Sequence, residues 1–277
     1  YWEFEMSQSQ DIWIRSSYDP ANSSSSYGPN ILIHEIGHSL GLSHPFDDDF
    51  YSSLETNTNL YTVMAYAGHA ELKNSWDVDG DGVYEWQEDD RLYATKPSIN
   101  DIKAIQYIYG MTPEYNHGDT EYIYKGPVYD TIYDTGGIDT IDLSSYTLNI
   151  TLNLNGGTVS YIGTNELWIT KPSAVGSSDS YWGSSGFPIS ISENTIIENA
   201  ILGDGDDTIT CNLAVNSITC NLGNDTVYNI DIGDTIYGGG GNDIFVLSSI
   251  NFASIDGGEG SDQISFEDAD ANGSSID

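Results

Sequence analysis

Basic residues are scarce: 7 lysines and arginines stand against 43 aspartates and glutamates, for a formal net charge of -36. A chain this acidic repels phosphate, which argues against nucleic acid and anionic membrane surfaces as partners. Cysteine is rarer still. Cys211 and Cys220 are the 2 present in 277 residues, too few for a disulfide framework. No apolar run approaches the roughly 20 residues needed to cross a bilayer, so no membrane span is expected. An initiator methionine and a signal peptide are also missing, and Tyr1 begins in mid-sequence, so the chain reads as a fragment. The apolar share of 38% still supports one large or two modest domains with real cores. The acidity is then either a solvated surface or a store of carboxylates for divalent cations.

The densest cluster of chemistry is His34, Glu35, Gly37, His38, Gly41 and His44. On a helix, residues four apart lie about 40° apart on one face, so His34 and His38 can reach one ion. Glu35 is not spaced as a ligand, but it can hold a zinc-bound water and take its proton, the general-base role in metal-assisted peptide hydrolysis. Gly41 ends the helix and allows the turn that returns His44 as a third nitrogen ligand. The plainer reading is an amphipathic core helix, Ile31 to Leu42, with incidental histidines; the number of specified positions favours the metal. Met64 follows His44 by 20 residues and is expected to form an apolar floor beneath the histidines, with Tyr66 near the metal. This extended pattern with its methionine turn is the metzincin signature.

Around these residues the chain reads as α+β. Tyr1 to Arg15 contains two alternating runs expected as strands, and Asn30 is expected to cap the histidine helix. Ser98 to Tyr109 reads as a second helix, with Ile99, Ile102, Ile105 and Tyr109 on one stripe and Gly110 as the stop. Between them, Asp77, Asp79 and Asp81 fall at positions 1, 3 and 5 of a loop, Gly82 at 6, Val83 at 7, Glu85 at 9 and Glu88 at 12. That is the EF-hand calcium pattern, in which side-chain oxygens and the Val83 carbonyl supply the ligands; a solvated acidic turn is the alternative.

From Met111 onward Gly, Asp, Asn, Thr and Ile dominate. Ile209, Ile218, Val227, Ile236 and Phe245 recur at intervals of nine, then Ile255 after ten and Ile264 after nine. A short fixed period predicts a solenoid whose turns are stable only when stacked, with these side chains inward. Two turns, Gly238 to Val246 and Gly257 to Ser265, match the calcium-binding nonapeptide in full. Turns at Leu202, Cys220, Gly238 and Gly257 keep glycine at position four and aspartate at six: Gly205 and Asp207, Gly223 and Asp225, Gly241 and Asp243, Gly260 and Asp262. Intervening turns carry Ala214/Asn216, Ile232/Asp234 and Ile250/Phe252 instead. If each nonapeptide is half a coil, calcium lies along one side only, and Cys211 and Cys220 sit on opposite sides, too far apart to pair.

With the three histidines, Met64, Tyr66 and a nonapeptide solenoid in one chain, the sequence resembles the serralysins. The likeness extends to Asp101–Gly110, similar to the helix closing their protease domain, to Tyr133–Ser144, similar to their first calcium-binding stretch, and to Ile197–Ile201, similar to the lead into their repeats. The resemblance implies an α+β metzincin-type catalytic domain, incomplete on its N-terminal side, over residues 1–110. An all-β parallel β-roll solenoid over 111–277 follows, with repeats at about 202–265. It implies one catalytic zinc on His34, His38, His44 and Tyr66, with Glu35 and Tyr66 catalytic and Tyr66 able to swing to the oxyanion. Several structural calcium ions are implied on Gly136, Asp139, Gly203, Gly205, Asp207, Gly223, Asp225, Gly238, Gly240, Asp243, Gly257, Glu259 and Asp262. The implied activity is a secreted, extracellular, calcium-dependent metalloendopeptidase acting on polypeptides as a monomer.

The 77–88 loop and the Ser/Gly-rich stretch from Pro172 to Pro188 depart from the family pattern. Only 33 residues precede His34, so much of the upper wall of the cleft is expected to be missing. The final residues lack the apolar, acid-containing tail of the family. A calcium-binding structural or adhesive β-roll carrying a non-functional protease remnant is therefore the rival expectation.

Overall fold

A computed structural model describes residues 27–45, 60–65, 70–72, 93–112, 114–126, 128–163, 167–169, 182–184 and 186–266. The chain forms two compact units, residues 1–110 with 167–183, and residues 111–166 with 184–277. The expected N-terminal strands and the whole 77–88 loop lie outside the described residues.

In the first unit, α1 spans Tyr27–Ser39, β1 Ala70–Leu72 and α2 Ile99–Tyr109. The α1 helix begins earlier than expected, and Asn30 is not its cap. Asn30 lies inside the helix, buried, and its side-chain amide donates to the Ala94 carbonyl at 2.9 Å. A long-range acceptor has overridden the local capping preference. The stop is as expected: Leu42 N–H donates to Gly37 O and Gly41 N–H to His38 O, and Gly41 has φ +92°. These paired bonds around a left-handed glycine form a Schellman turn. Helix α2 ends at Gly110, φ +85°. Of its anticipated stripe Ile99 is buried, whereas Tyr109 is 63% exposed and its hydroxyl donates to Leu40 O.

The second unit opens with β2 Glu121–Ile123, β3 Asp130–Ile132, β4 Thr140–Asp142, β5 Ile150–Asn153 and β6 Thr158–Ile162. After β7 Leu167–Ile169 and β8 Trp182–Ser184, which pair with β1 in a three-stranded sheet, come β9 Phe187–Ile191, β10 Asn199–Ile201 and β11 Thr208–Thr210. The chain continues through β12 Ser217–Thr219, β13 Thr226–Ile230, β14 Thr235–Tyr237, β15 Ile244–Leu247, β16 Ser254–Asp256 and β17 Gln263–Phe266. From β2 to β5 and again from β9 to β17 successive strands alternate between a six-stranded sheet, β16-β14-β12-β10-β4-β2, and an eight-stranded sheet, β17-β15-β13-β11-β5-β6-β9-β3, which also holds β6. This is a parallel β-solenoid.

Its core explains the period. In one sheet Ile209 lies beside Val227, which lies beside Phe245; in the other Ala200, Ile218 and Ile236 stack in register. All six are at most 1% exposed, but the expectation fails at the end of the series, where Ile264 in β17, the outermost strand of its sheet among the described residues, is 56% exposed. Each isoleucine, valine or phenylalanine so buried contributes roughly 1.5–3 kcal/mol relative to an exposed one. The nine-residue series therefore splits into two interleaved ladders, and one coil is two nonapeptides. The sheets are not wholly parallel, however. Strand β6 runs antiparallel to both β5 and β9. Asn155, Gly156 and Gly157 allow the reversal, so a hairpin is spliced into the larger sheet. Cys211 and Cys220 are buried and unbridged, on opposite edges of the solenoid. Burial pushes the Cys211 thiol up to about 12, and Cys220 is also raised well above its ordinary value.

Candidate metal centres

The first centre is built by the end of α1. His34 and His38 share a helical face, and the turn at Gly41 brings His44 back to them. His44 Nε2 lies 3.0 Å from His38 Nε2 and 3.2 Å from His34 Nε2. Nitrogens bound tetrahedrally to zinc at about 2.0–2.1 Å would stand about 3.3 Å apart. The other ring nitrogens fix the tautomers. His34 Nδ1 faces Val63 O at 2.8 Å and His38 Nδ1 faces Leu42 O at 2.9 Å, so each Nδ1 carries the proton. Nε2 of both rings is left with a lone pair directed at His44 Nε2. One proton can bridge only one of these contacts, whereas a cation satisfies all three nitrogens. The residues present fit zinc, and no other cluster of histidine, cysteine and carboxylate groups is as compact among the described residues.

Two features hold the centre from behind. Met64 is 1% exposed, and a Cβ on Gly37 would stand 2.5 Å from its sulfur, so the glycine between the two helical histidines is the socket for the methionine. Met64 therefore packs on the helix at Gly37, between the positions of His34 and His38. Asp101, 2% exposed, accepts hydrogen bonds from Thr62 Oγ1 at 2.5 Å, Val63 N at 2.8 Å and Ser98 N at 2.8 Å. It thus clamps the start of α2 to the turn whose Val63 carbonyl orients His34. Burial raises the Asp101 carboxyl above its ordinary range, opposed by those bonds and by His34. Sequence reading did not single out Asp101, though Ser98 followed three residues later by an acid is a capping-box pattern that could have flagged it. Glu35 is exposed on α1. Tyr66 and Asp77, Asp79, Asp81, Val83, Glu85 and Glu88 lie outside the described residues.

The second set of centres lies along one edge of the solenoid, where the connections 202–207, 220–225, 238–243 and 257–262 stack. Ile150 N–H donates to Asp207 Oδ1, Asp207 N–H to Asp225 Oδ1, Asp225 N–H to Asp243 Oδ1 and Asp243 N–H to Asp262 Oδ1. One carboxylate oxygen per turn is thereby used. The second oxygens of Asp225 and Asp243 are buried with no hydrogen-bond partner. Such an orphan costs about 1–3 kcal/mol, more when charged, and a cation would satisfy it. Burial first, then neighbouring carboxylates, raises Asp225 to about 8 and Asp207 to about 7, and burial raises Asp243 as well. A Cβ on Gly241, φ +141°, would strike the Gly223 carbonyl, which shows how closely the turn backbones approach. Gly238 lies beside the partnerless Oδ2 of Asp243 and Gly257 beside Oδ2 of Asp262, and Gly203 N–H donates to Asp207 Oδ2 at 3.2 Å. Gly205 and Gly223 stack in the same column, Gly240 bridges Leu222 and Glu259, and Glu259 and Asp262 are exposed.

Asp139 stands on the opposite edge. Its Oδ1 accepts from Thr120 N, its N–H donates to Glu198 Oε2, and its Oδ2 is a third buried oxygen without a partner. Burial raises it to about 6, helped by Asp134, Glu198 and Asp119. Neighbouring Gly136 donates its N–H to Asp134 Oδ1. These carboxylates fit a hard cation.

A convergent imidazole centre joined in one chain to a carboxylate-lined solenoid is an arrangement of the metalloprotease class, and comparison with known proteins agrees. Residues 176–272 match the family described as Peptidase M10 serralysin C terminal. The serralysin of Photorhabdus laumondii is 32% identical over 216 residues, 69% of this chain and 38% of that protein. Metallopeptidase AprA of Pseudomonas marginalis is 31% identical over 73% of this chain and 42% of its own length. Metalloprotease AprA of Pseudomonas entomophila is 30% identical over 78% of this chain and 44% of its own length. The chain spans less than half the length of each of these relatives. It is a serralysin-like protein. No helix among the described residues is long and apolar enough to cross a membrane.

Proposed function

We propose that the chain is part of a secreted zinc metalloendopeptidase that cuts extended polypeptides and whose solenoid is ordered by calcium in the extracellular medium. The observation that carries the reading is the convergence of three imidazole nitrogens at 3.0–3.2 Å with two of the rings locked by backbone carbonyls. Zinc there would supply Lewis acidity toward a peptide carbonyl and a water. Glu35, beside His34 on the same helix, removes the proton from the attacking water and delivers it to the departing amine. Tyr66 donates a hydrogen bond to the developing oxyanion. The Val63 and Leu42 carbonyls hold the tautomers of His34 and His38 throughout. Asp139, Asp207, Asp225, Asp243 and Asp262 hold calcium in the solenoid, and the 77–88 loop holds a further calcium ion.

The test is casein hydrolysis by the chain with zinc and calcium, against a chelated sample and Glu35→Ala. Removing a general base is expected to cost about 10²–10⁴-fold; activity that survives the substitution would overturn the role of Glu35. One zinc bound per chain with no cleavage would instead favour a calcium-binding solenoid carrying a silent centre.

A further inference from the structure

The edge opposite the aspartate column has its own position-six residue in the connection 211–216, and there it is an asparagine. Asn216 is 1% exposed and Asn212 9%. The backbone rule is the same on both edges: Asn216 N–H donates to Asp234 Oδ1 at 2.8 Å, as Asp225 N–H donates to Asp243 Oδ1. The side-chain polarity is reversed. Asp225 accepts from the Asp207 N–H of the turn before, whereas Asn216 Nδ2 donates to Glu198 O at 3.0 Å, Asn212 Oδ1 at 3.1 Å and Ile197 O at 3.4 Å. Asn212 Nδ2 adds bonds to Ile197 O at 2.8 Å and Leu154 O at 3.2 Å. Two amide groups therefore fill a nest of four oxygens. Their own oxygens are used too: Asn216 Oδ1 accepts from Asn212 N and Asn212 Oδ1 from Ala214 N. The next turn is closed likewise, Asp234 accepting from Asn216 N on one oxygen and Asp231 N on the other. No atom of Asn212, Asn216 or Asp234 is among the buried orphans.

We infer that the Asn212–Asn216 pair is an amide plug standing where a cation would otherwise gather these oxygens, so that this stretch of the edge is complete without metal. A hard cation needs anionic or carbonyl oxygen directed at it, and here every such oxygen already receives an N–H. The inference rests on the proposed calcium binding of the other edge only for its contrast. Replacing Asn216 by aspartate would remove the donors, leave the carbonyls of Glu198 and Ile197 facing a carboxylate, and so create a cation site.

The experiment counts calcium ions per full-length chain by equilibrium dialysis and follows melting in calcium and in chelator for the parent, Asn216→Asp and Asn216→Ala. Asn216→Asp is expected to bind one calcium more than the parent, and to melt on the order of 5 °C lower in chelator with most of that loss restored by calcium. Asn216→Ala should lower melting equally in both conditions and leave the count unchanged. An unchanged count in Asn216→Asp with equal destabilisation in both conditions, or one ion lost in Asn216→Ala, would overturn the inference. Hydrogen exchange on the parent provides a check that needs no variant. Protection of the Asn212 and Ala214 amides should persist in chelator while that of Asp225 and Asp243 is lost; joint loss would overturn the inference. A parent that binds no calcium would instead defeat the calcium reading of the aspartate edge, separately from the count gained by Asn216→Asp.

Discussion

Replacing Asp101 by alanine removes an acceptor that has three donors, Thr62 Oγ1, Val63 N and Ser98 N. Both backbone N–H groups would lose this buried acceptor, at about 1–3 kcal/mol each, while the hydroxyl can turn to another acceptor. Against this stands the raised carboxyl of Asp101, whose desolvation is relieved when it is deleted. The net loss is therefore about 2–4 kcal/mol, enough to lower the melting of a unit of this size by on the order of 10 °C. The same turn carries the carbonyl that orients His34 Nδ1, so zinc affinity should fall by about 10–100-fold, the usual effect of loosening groups behind a ligand. Asp101→Asn keeps an acceptor for Val63 and Ser98, and should bind zinc within a few-fold of the parent. The assay is zinc competition with a chromophoric chelator on the full chain, alongside a thermal melt. Unchanged zinc affinity in an Asp101→Ala chain whose melting has dropped would refute the positioning argument and leave Asp101 as a clamp for the fold alone.

The solenoid should show an unusual pH response. Asp139, Asp207 and Asp225 are raised from 3.8 to about 6, 7 and 8, so their protonated forms stabilise the fold fully below about pH 4 and that contribution disappears as pH climbs through 6 to 8. Chelated chain should melt higher at pH 5 than at pH 8 and calcium should remove or reverse that order; equal melting of chelated chain at both values would contradict the burial argument. Gly241→Ala should cost roughly 2 kcal/mol or more, since it meets both φ +141° and the Gly223 carbonyl, and circular dichroism melts would detect it; a neutral outcome would mean that the turns are looser than described. His44→Ala removes the nitrogen within 3.0–3.2 Å of both partners, and calorimetry should show zinc binding weakened by more than 100-fold with the melt of metal-free protein little changed.

What could be read from the sequence follows the range of the interactions. The histidine centre was legible because His34, His38 and His44 lie within one helix and its terminal turn, where spacing fixes geometry. The solenoid was legible because stacking repeats the same demand on Ile209, Val227 and Phe245. Asn30 was not, since its partner lies 64 residues away; for Asp101 the local Ser98 pattern marks only a cap, while the donors that make it a clamp, Thr62 and Val63, lie 39 and 38 residues away. The hairpin of β5 and β6 was hidden in a segment where glycine and asparagine are already abundant. The alternation between turns with and without glycine at position four was visible, but its physical basis, carboxylate oxygens left open along the aspartate edge and amides closing the 211–216 turn, needed the hydrogen-bond directions, and these also leave Asp139 Oδ2 open on the opposite edge, against the one-sided expectation.

The aspartate column also has a direction. The position-six N–H of each turn is satisfied only by a carboxylate 18 or 19 residues further along the chain. During synthesis each turn therefore waits, unfinished, for its successor, and the column behaves like a queue in which the newest arrival releases the one ahead. At any moment only the turn at the growing end is unfinished on that edge, so order there advances one turn at a time, each new carboxylate completing the turn before it.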